Sequence, residues 1–193
     1  METQIWKVYL DLGFDHILDL NGYDHILFVT TLCAIYTFKD WKKILLLVTA
    51  FTLGHSLTLA LAALDVVSFD PELIETLIPI TIILTGMYQI LRTLRPQITG
   101  QQMVASYLLT TFFGLIHGLG FSNYFRAILG KEDSIVQPLF AFNVGVEAGQ
   151  LIIVALSLVV GTLMVSLLRL PQKTWTIGLS VVCTLVAFYL LLR

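Results

Sequence analysis

Long apolar runs alternate along this chain with short polar joints. The runs cover residues 22–38, 44–64, 73–91, 103–121, 138–168 and 175–192, and each reaches or exceeds the roughly 17–25 residues that a helix needs to cross a bilayer. The pattern predicts an all-α fold: a polytopic membrane bundle of about six transmembrane helices. The fifth run is longer than a bilayer requires, so it should tilt, extend past the headgroups or bend near Gly161. Ahead of the first run, residues 4–14 put Ile5, Val8 and Leu12 at helical spacing, with Trp6 and Tyr9 beside them and Lys7 and Asp11 interrupting. That mixture predicts a short N-terminal interfacial helix. Joints this short leave no room for a second unit, so residues 1–193 read as a single integral membrane domain.

Composition agrees with the pattern. Hydrophobic residues make up 57% of the chain and charged residues 12%, and the mean hydropathy is +0.87, well outside the range of soluble domains. A net charge of -2 with no basic stripe excludes a nucleic-acid partner. The two cysteines, Cys33 and Cys183, lie in separate apolar runs without ligand spacing and read as small packing residues. Glu2 stands where a leader peptide would carry a basic residue and the first apolar stretch is soon broken, so no cleaved leader is expected.

Charge sets the expected orientation. With six spans, one side holds Lys39, Lys42, Lys43, Arg92, Arg95, Arg169 and Lys173, and the other holds Lys7, Arg126, Lys131 and Arg193. The basic side faces the cytoplasm, which puts both termini outside, in the periplasm of a bacterium, and the chain in the inner membrane as a multi-pass protein. The acids are biased the opposite way: Glu2, Asp11, Asp15, Asp19, Asp65, Asp70, Glu72, Glu75, Glu132 and Asp133 fall outside and Asp40 inside. An acidic outer face concentrates cations.

Polar residues within the apolar runs are costly in lipid and must face the bundle interior. The helical rise of about 1.5 Å per residue puts His55 and His117 roughly 16–21 Å above the inner boundary and Glu147 about 13 Å below the outer surface. His25 opens the first run beneath that surface. Four helices are thus expected to bring His25, His55, His117 and Glu147 to overlapping levels in the outer half of the bilayer. Asn143, Glu147 and Gln150 share one helix face, as do Thr52 and His55 with Ser56 adjacent. The spacings Gly114/Gly118 and Gly145/Gly149 let backbones approach closely, and the fourth and fifth spans are expected to pack on each other through them.

Neutral imidazoles with carboxylates make an N/O donor set that suits nickel, cobalt, zinc or copper better than calcium or magnesium. Two functions use such a set. One is a permease for a divalent transition metal; the other is an intramembrane zinc hydrolase, with three side chains on the ion and Asp24 or Glu147 as base. A third reading is a structural partner that recruits a larger metal-handling complex. No G-x-x-x-x-G-K-[ST] motif is present, so a permease would draw on the membrane potential, a proton gradient or trapping of the ion inside. The expected partners are the lipid bilayer and the metal ion, with a homo-oligomer or an intracellular metal-accepting protein left open.

The runs Gly13–His16 (GFDH), Gly22–Phe28 (GYDHILF), Phe51–Ser56 (FTLGHS), Phe113–Gly118 (FGLIHG) and Phe142–Gln150 (FNVGVEAGQ) closely resemble, in order and over most of the chain, the hydrogenase/urease accessory membrane family HupE/UreJ. The resemblance implies six to eight membrane helices and uptake of nickel, sometimes cobalt. It also implies that His16, Asp24, His25, His55, His117 and Glu147 are the metal-handling positions; Asp15, Ser56, Asn143 and Gln150 read beside them as supporting polar residues. The residues by themselves do not separate the permease from the hydrolase; the resemblance ranks a nickel permease open to the periplasm above the zinc hydrolase.

Overall fold

The computed structural model describes residues 2–95, 100–130 and 134–193, and every regular element among them is helical. The elements are α1 (Glu2–Ile17), α2 (Asp24–Cys33), α3 (Trp41–Ala63), α4 (Pro71–Leu94), α5 (Gly100–Leu129), α6 (Val136–Thr162) and α7 (Gln172–Leu191). Lys131, Glu132 and Asp133, counted above on the outer side, lie outside the described residues. Local chemistry explains several boundaries. Asp70 accepts from the Glu72 amide at 3.0 Å with Pro71 at the first helical position, which starts α4. Thr37 and Asp40 hold each other across a 3-10 turn at Phe38–Asp40 that leads into α3. α6 ends in a π-helical turn, Leu163–Leu167, just past Gly161, where the excess length was expected to distort the helix.

Among the described residues five helical stretches, not six, are long and apolar enough to cross a membrane: 38–63, 71–94, 103–129, 136–167 and 172–191. The first expected span, 22–38, is instead the ten-residue α2, about 15 Å long. Its apolar run does not continue as helix: Ala34 and Tyr36 donate back to Thr31 and Cys33 in tight turns, and the Thr37–Asp40 cap begins a new element.

The N-terminal helix is longer than its amphipathic stretch and packs lengthwise on α6. Trp6 meets Phe140 at 5.7 Å between ring centroids, Gly13 lies against the Phe142 carbonyl, and Gly145 and Gly149 lie against Leu10, Phe14 and Ile17. α2 continues along α6 in the same direction, with Thr30 beside Ser157. α1 and α2 are therefore two successive rods on one face of α6, separated by the joint 18–23.

The glycine seams differ from expectation. Gly114 and Gly118 on α5 do not meet α6; a side chain there would strike the backbones of Phe51 and His55 on α3, and Gly54 of α3 returns the contact against Thr111. The pair on α6 serves α1 instead. A small-residue spacing declares a close approach without naming its partner, and the reciprocal glycines, Gly54 and Gly13, decide the pairing. Leucines at 53, 57, 108, 156 and 185 point outward with more than half of their surface exposed, a face suited to acyl chains.

Candidate metal centre

The joint between α1 and α2 is where the imidazoles gather. His16 ends α1 and His25 opens α2, their ring centroids 4.7 Å apart. His55 comes from α3, 5.7 Å from His16 and 5.8 Å from His25. His117 comes from α5, 5.0 Å from His25. The close α3–α5 approach at Gly54, Gly114 and Gly118 lets two of these rings share a level. His55 is eight residues short of the end of α3, and His117 twelve short of the end of α5, so the cluster lies roughly 12–18 Å below that end of the bundle.

Two overlapping groups result. His16, His25 and His55 place one ligand atom each within 4.8 Å of one another, and so do Asp24, His25 and His117; His25 belongs to both. The rings are packed in phenylalanine: Phe121 lies 4.0 Å from His16, Phe142 covers His55, and Phe28 and Phe51 each approach His117 to 5.2 Å. His55 and His117 are at most 1% exposed.

Hydrogen bonding leaves the cluster with unused nitrogens. His25 Nδ1 lies 3.2 Å from Asp24 Oδ1, and His117 Nε2 lies 2.9 Å from Thr81 Oγ1. His16 Nε2, His25 Nε2, His117 Nδ1 and both nitrogens of His55 are buried without any partner. Buried polar atoms are nearly always satisfied, and five unpartnered imidazole nitrogens in one apolar shell form a donor set that fits a borderline metal ion. The Asp24 carboxylate, an acceptor, fixes the proton of His25 on Nδ1 and leaves Nε2 with its lone pair, the arrangement common behind metal-bound histidines.

A cavity of about 450 Å³ opens beside the cluster, lined by Leu12, Asp15, His16, Asp19, Phe121 and Tyr124. Asp15 and Asp19 are exposed in it while His16 is half-buried. His16 thus stands between the acidic mouth and the buried rings.

Other expected residues sit elsewhere. Glu147 belongs to neither group: its Oε1 accepts from Thr49 Oγ1 at 2.6 Å, and Thr49 is six residues before His55 on α3, about 9 Å along the axis. The register of α6, set by Gly145 and Gly149 against α1, carries it past the imidazoles. Gln150 accepts from Thr52 at 2.9 Å, Ser56 donates to the Thr52 carbonyl, and Asn143 Oδ1 is buried without a partner. Through Thr49 and Thr52, Glu147 and Gln150 hold the α3–α6 seam on the side of the cluster away from its mouth. Thr81 and Thr49 belong to none of the sequence motifs; the spacing Thr81, Thr85, Gln89, all buried on α4, is the periodic signal that marks the first.

The family model described as HupE / UreJ protein matches residues 1–193. The chain belongs to the HupE/UreJ family. No curated protein and no solved structure matches it. Membership accords with a helical membrane bundle carrying His/Asp groups able to hold a metal, and every histidine of this HupE/UreJ chain falls within one cluster.

Proposed function

We propose that this protein is a permease that admits a divalent transition metal, nickel ahead of cobalt, zinc or copper, through the inner membrane from the periplasmic side. The observation that carries the reading is the set of five orphaned imidazole nitrogens in two overlapping groups beneath an acidic mouth. Asp15 and Asp19 attract the hydrated ion, His16 takes it from the cavity, and His25 passes it between the His55 side and the Asp24–His117 side. A ligand common to two adjacent groups allows exchange without release into the apolar shell. Glu147, Thr49, Thr52 and Gln150 then receive the ion on the inner side.

In this reading α1 and α2 together form a sixth crossing, interrupted at residues 18–23, which returns both termini to the periplasmic side. Interrupted helices are tolerated in membranes where the break lines a polar site. Ligation requires neutral imidazoles, so protons compete with the ion for each ring.

Nickel uptake into proteoliposomes tests the reading. Wild-type protein accumulates the ion, and His25→Ala, which breaks both groups, reduces initial uptake to the rate of empty vesicles. Equal uptake by the variant and the wild type would overturn the path.

A further inference from the structure

A second polar constellation lies at the opposite end of the bundle, and metal handling does not use it. Arg92, in the last turn of α4, is only 4% exposed. Its Nη1 donates to Tyr36 Oη at 2.8 Å and its Nη2 to the thioether of Met103 at 3.4 Å, a weak acceptor. Nε is buried with no partner. Among the described residues no carboxylate pairs with this guanidinium; Asp40, the acid at that end, is bridged to Lys43 at 2.7 Å. A buried charge without a counter-ion is strongly unfavourable, so the fold calls for an anion.

The space for one is present. Arg92 lines a cavity of about 340 Å³ between α4 and α5, together with Tyr88 and Ser106, whose hydroxyls lie 3.0 Å apart. One water occupies roughly 30 Å³, so the cavity is far larger than a small ion needs. Beyond this polar end its walls are Leu84, Leu109 and Phe112, and Leu84 and Phe112 are about half exposed on the outer face of the bundle. The cavity therefore opens sideways, where acyl chains run. Gln89 Oε1, also on its wall, is buried without a donor, which favours a ligand with a hydroxyl or ammonium beside its anion.

We propose that this cavity holds an anionic phospholipid of the inner leaflet, its phosphate on Arg92 with the Tyr88 and Ser106 hydroxyls, its headgroup donor toward Gln89, and one acyl chain along Leu84, Leu109 and Phe112. Guanidinium forks match phosphate oxygens in pairs, and basic pockets between membrane helices on the cytoplasmic side are suited to lipid headgroups. The lipid completes the α4–α5 wall below His117 and neutralises a positive charge that would otherwise repel a departing cation.

Native mass spectrometry of the full chain in non-ionic detergent, with phosphatidylglycerol, phosphatidylcholine or inorganic phosphate added, tests this. Wild-type protein retains one phosphatidylglycerol and is thermally stabilised by it, phosphatidylcholine binds more weakly, and inorganic phosphate leaves the melting temperature unchanged. Arg92→Met lowers phosphatidylglycerol affinity about tenfold or more, the scale of a charged hydrogen bond, while Arg92→Lys keeps part of it. Should Arg92→Met fail to fold, Leu109→Trp decides: it fills the acyl groove, leaves the guanidinium in place, and loses the lipid. Undiminished lipid retention in both Arg92→Met and Leu109→Trp overturns the proposal, and so does stabilisation by inorganic phosphate equal to that by lipid, which would make the ligand a free anion.

Discussion

Thr81 Oγ1 lies 2.9 Å from His117 Nε2 and gives its own proton to the Ile78 carbonyl at 2.7 Å. A hydroxyl has one hydrogen, so toward the imidazole the threonine oxygen is an acceptor. The His117 proton therefore sits on Nε2, and the bare lone pair on Nδ1 faces the cluster, where no other partner meets it. Orienting contacts of this kind are typically worth 10–100-fold in metal affinity. Thr81→Val, close in shape but unable to accept, is expected to weaken metal binding about tenfold without loss of fold. Isothermal titration with Ni(II) measures this, and an unchanged dissociation constant removes Thr81 from the site.

The shared position of His25 ranks it above His55 and His117. Because His25 belongs to both groups and His55 and His117 to one each, His25→Ala should cost more affinity than His55→Ala or His117→Ala. The double variant of His55 and His117 should lose as much as His25→Ala alone. A single dominant loss at His117, with His25 dispensable, would contradict the bridging role.

Acid should release the ion. Each ring that ligates must be neutral, so protons compete for every nitrogen, and binding present at higher pH is lost as pH falls. Once the pH falls low enough for the empty site to take up protons, the apparent affinity is expected to drop about tenfold per pH unit for each ring that must give one up. Burial in the phenylalanine shell disfavours the charged ring, so that drop begins below the range of a free imidazole. Nickel titrations stepped down from about pH 8 read where it begins, and full affinity at a pH where NMR shows the rings of the metal-free protein protonated would mean that the histidines are not the donors.

Glu147 offers a way to separate capture from passage. It stands one to two turns of α3 beyond His55 and is held by Thr49, so Glu147→Gln keeps a hydrogen-bonding partner for that hydroxyl. The expected result is nickel affinity within about twofold of wild type, with slower uptake into proteoliposomes. Affinity lost in parallel with uptake would place the carboxylate on the ion itself.

The α3–α5 seam should be intolerant of any side chain. A methyl group at Gly54 would run into the Thr111 carbonyl and one at Gly114 into that of Phe51. Backbone cannot yield as a flexible side chain can, and overpacking of this kind costs about 1–3 kcal/mol or more. Gly54→Ala should lower the melting temperature in detergent and, by spreading α3 from α5, separate His55 from His117. Thermal unfolding with and without nickel reports both effects.

Much of this was legible in the residues. The depths of His55 and His117 followed from counting residues along uninterrupted helices, and both rings are in the cluster. His16 entered only through the resemblance of its motif, and the joint at residues 18–23 sets His25 beside it without reversing the chain. What could not be read was the length of α2, because the turns at Ala34 and Tyr36 are made from apolar residues that continue the hydrophobic run. The partners of the glycine seams were hidden for a related reason: sequence spacing describes one helix, whereas a seam belongs to two. Glu147 was misplaced in depth by the same route, because the register of α6 is set by its contacts with α1.

The break at residues 18–23 leaves His16 mounted differently from its companions. His25, His55 and His117 ride on α2, α3 and α5, whereas His16 is carried by a separate rod held by the glycine track of α6 and, through Tyr9, by α5. A small slide or roll of that rod would move the outermost imidazole and leave the deeper donors in place, so the entrance could lose a donor without unfolding anything.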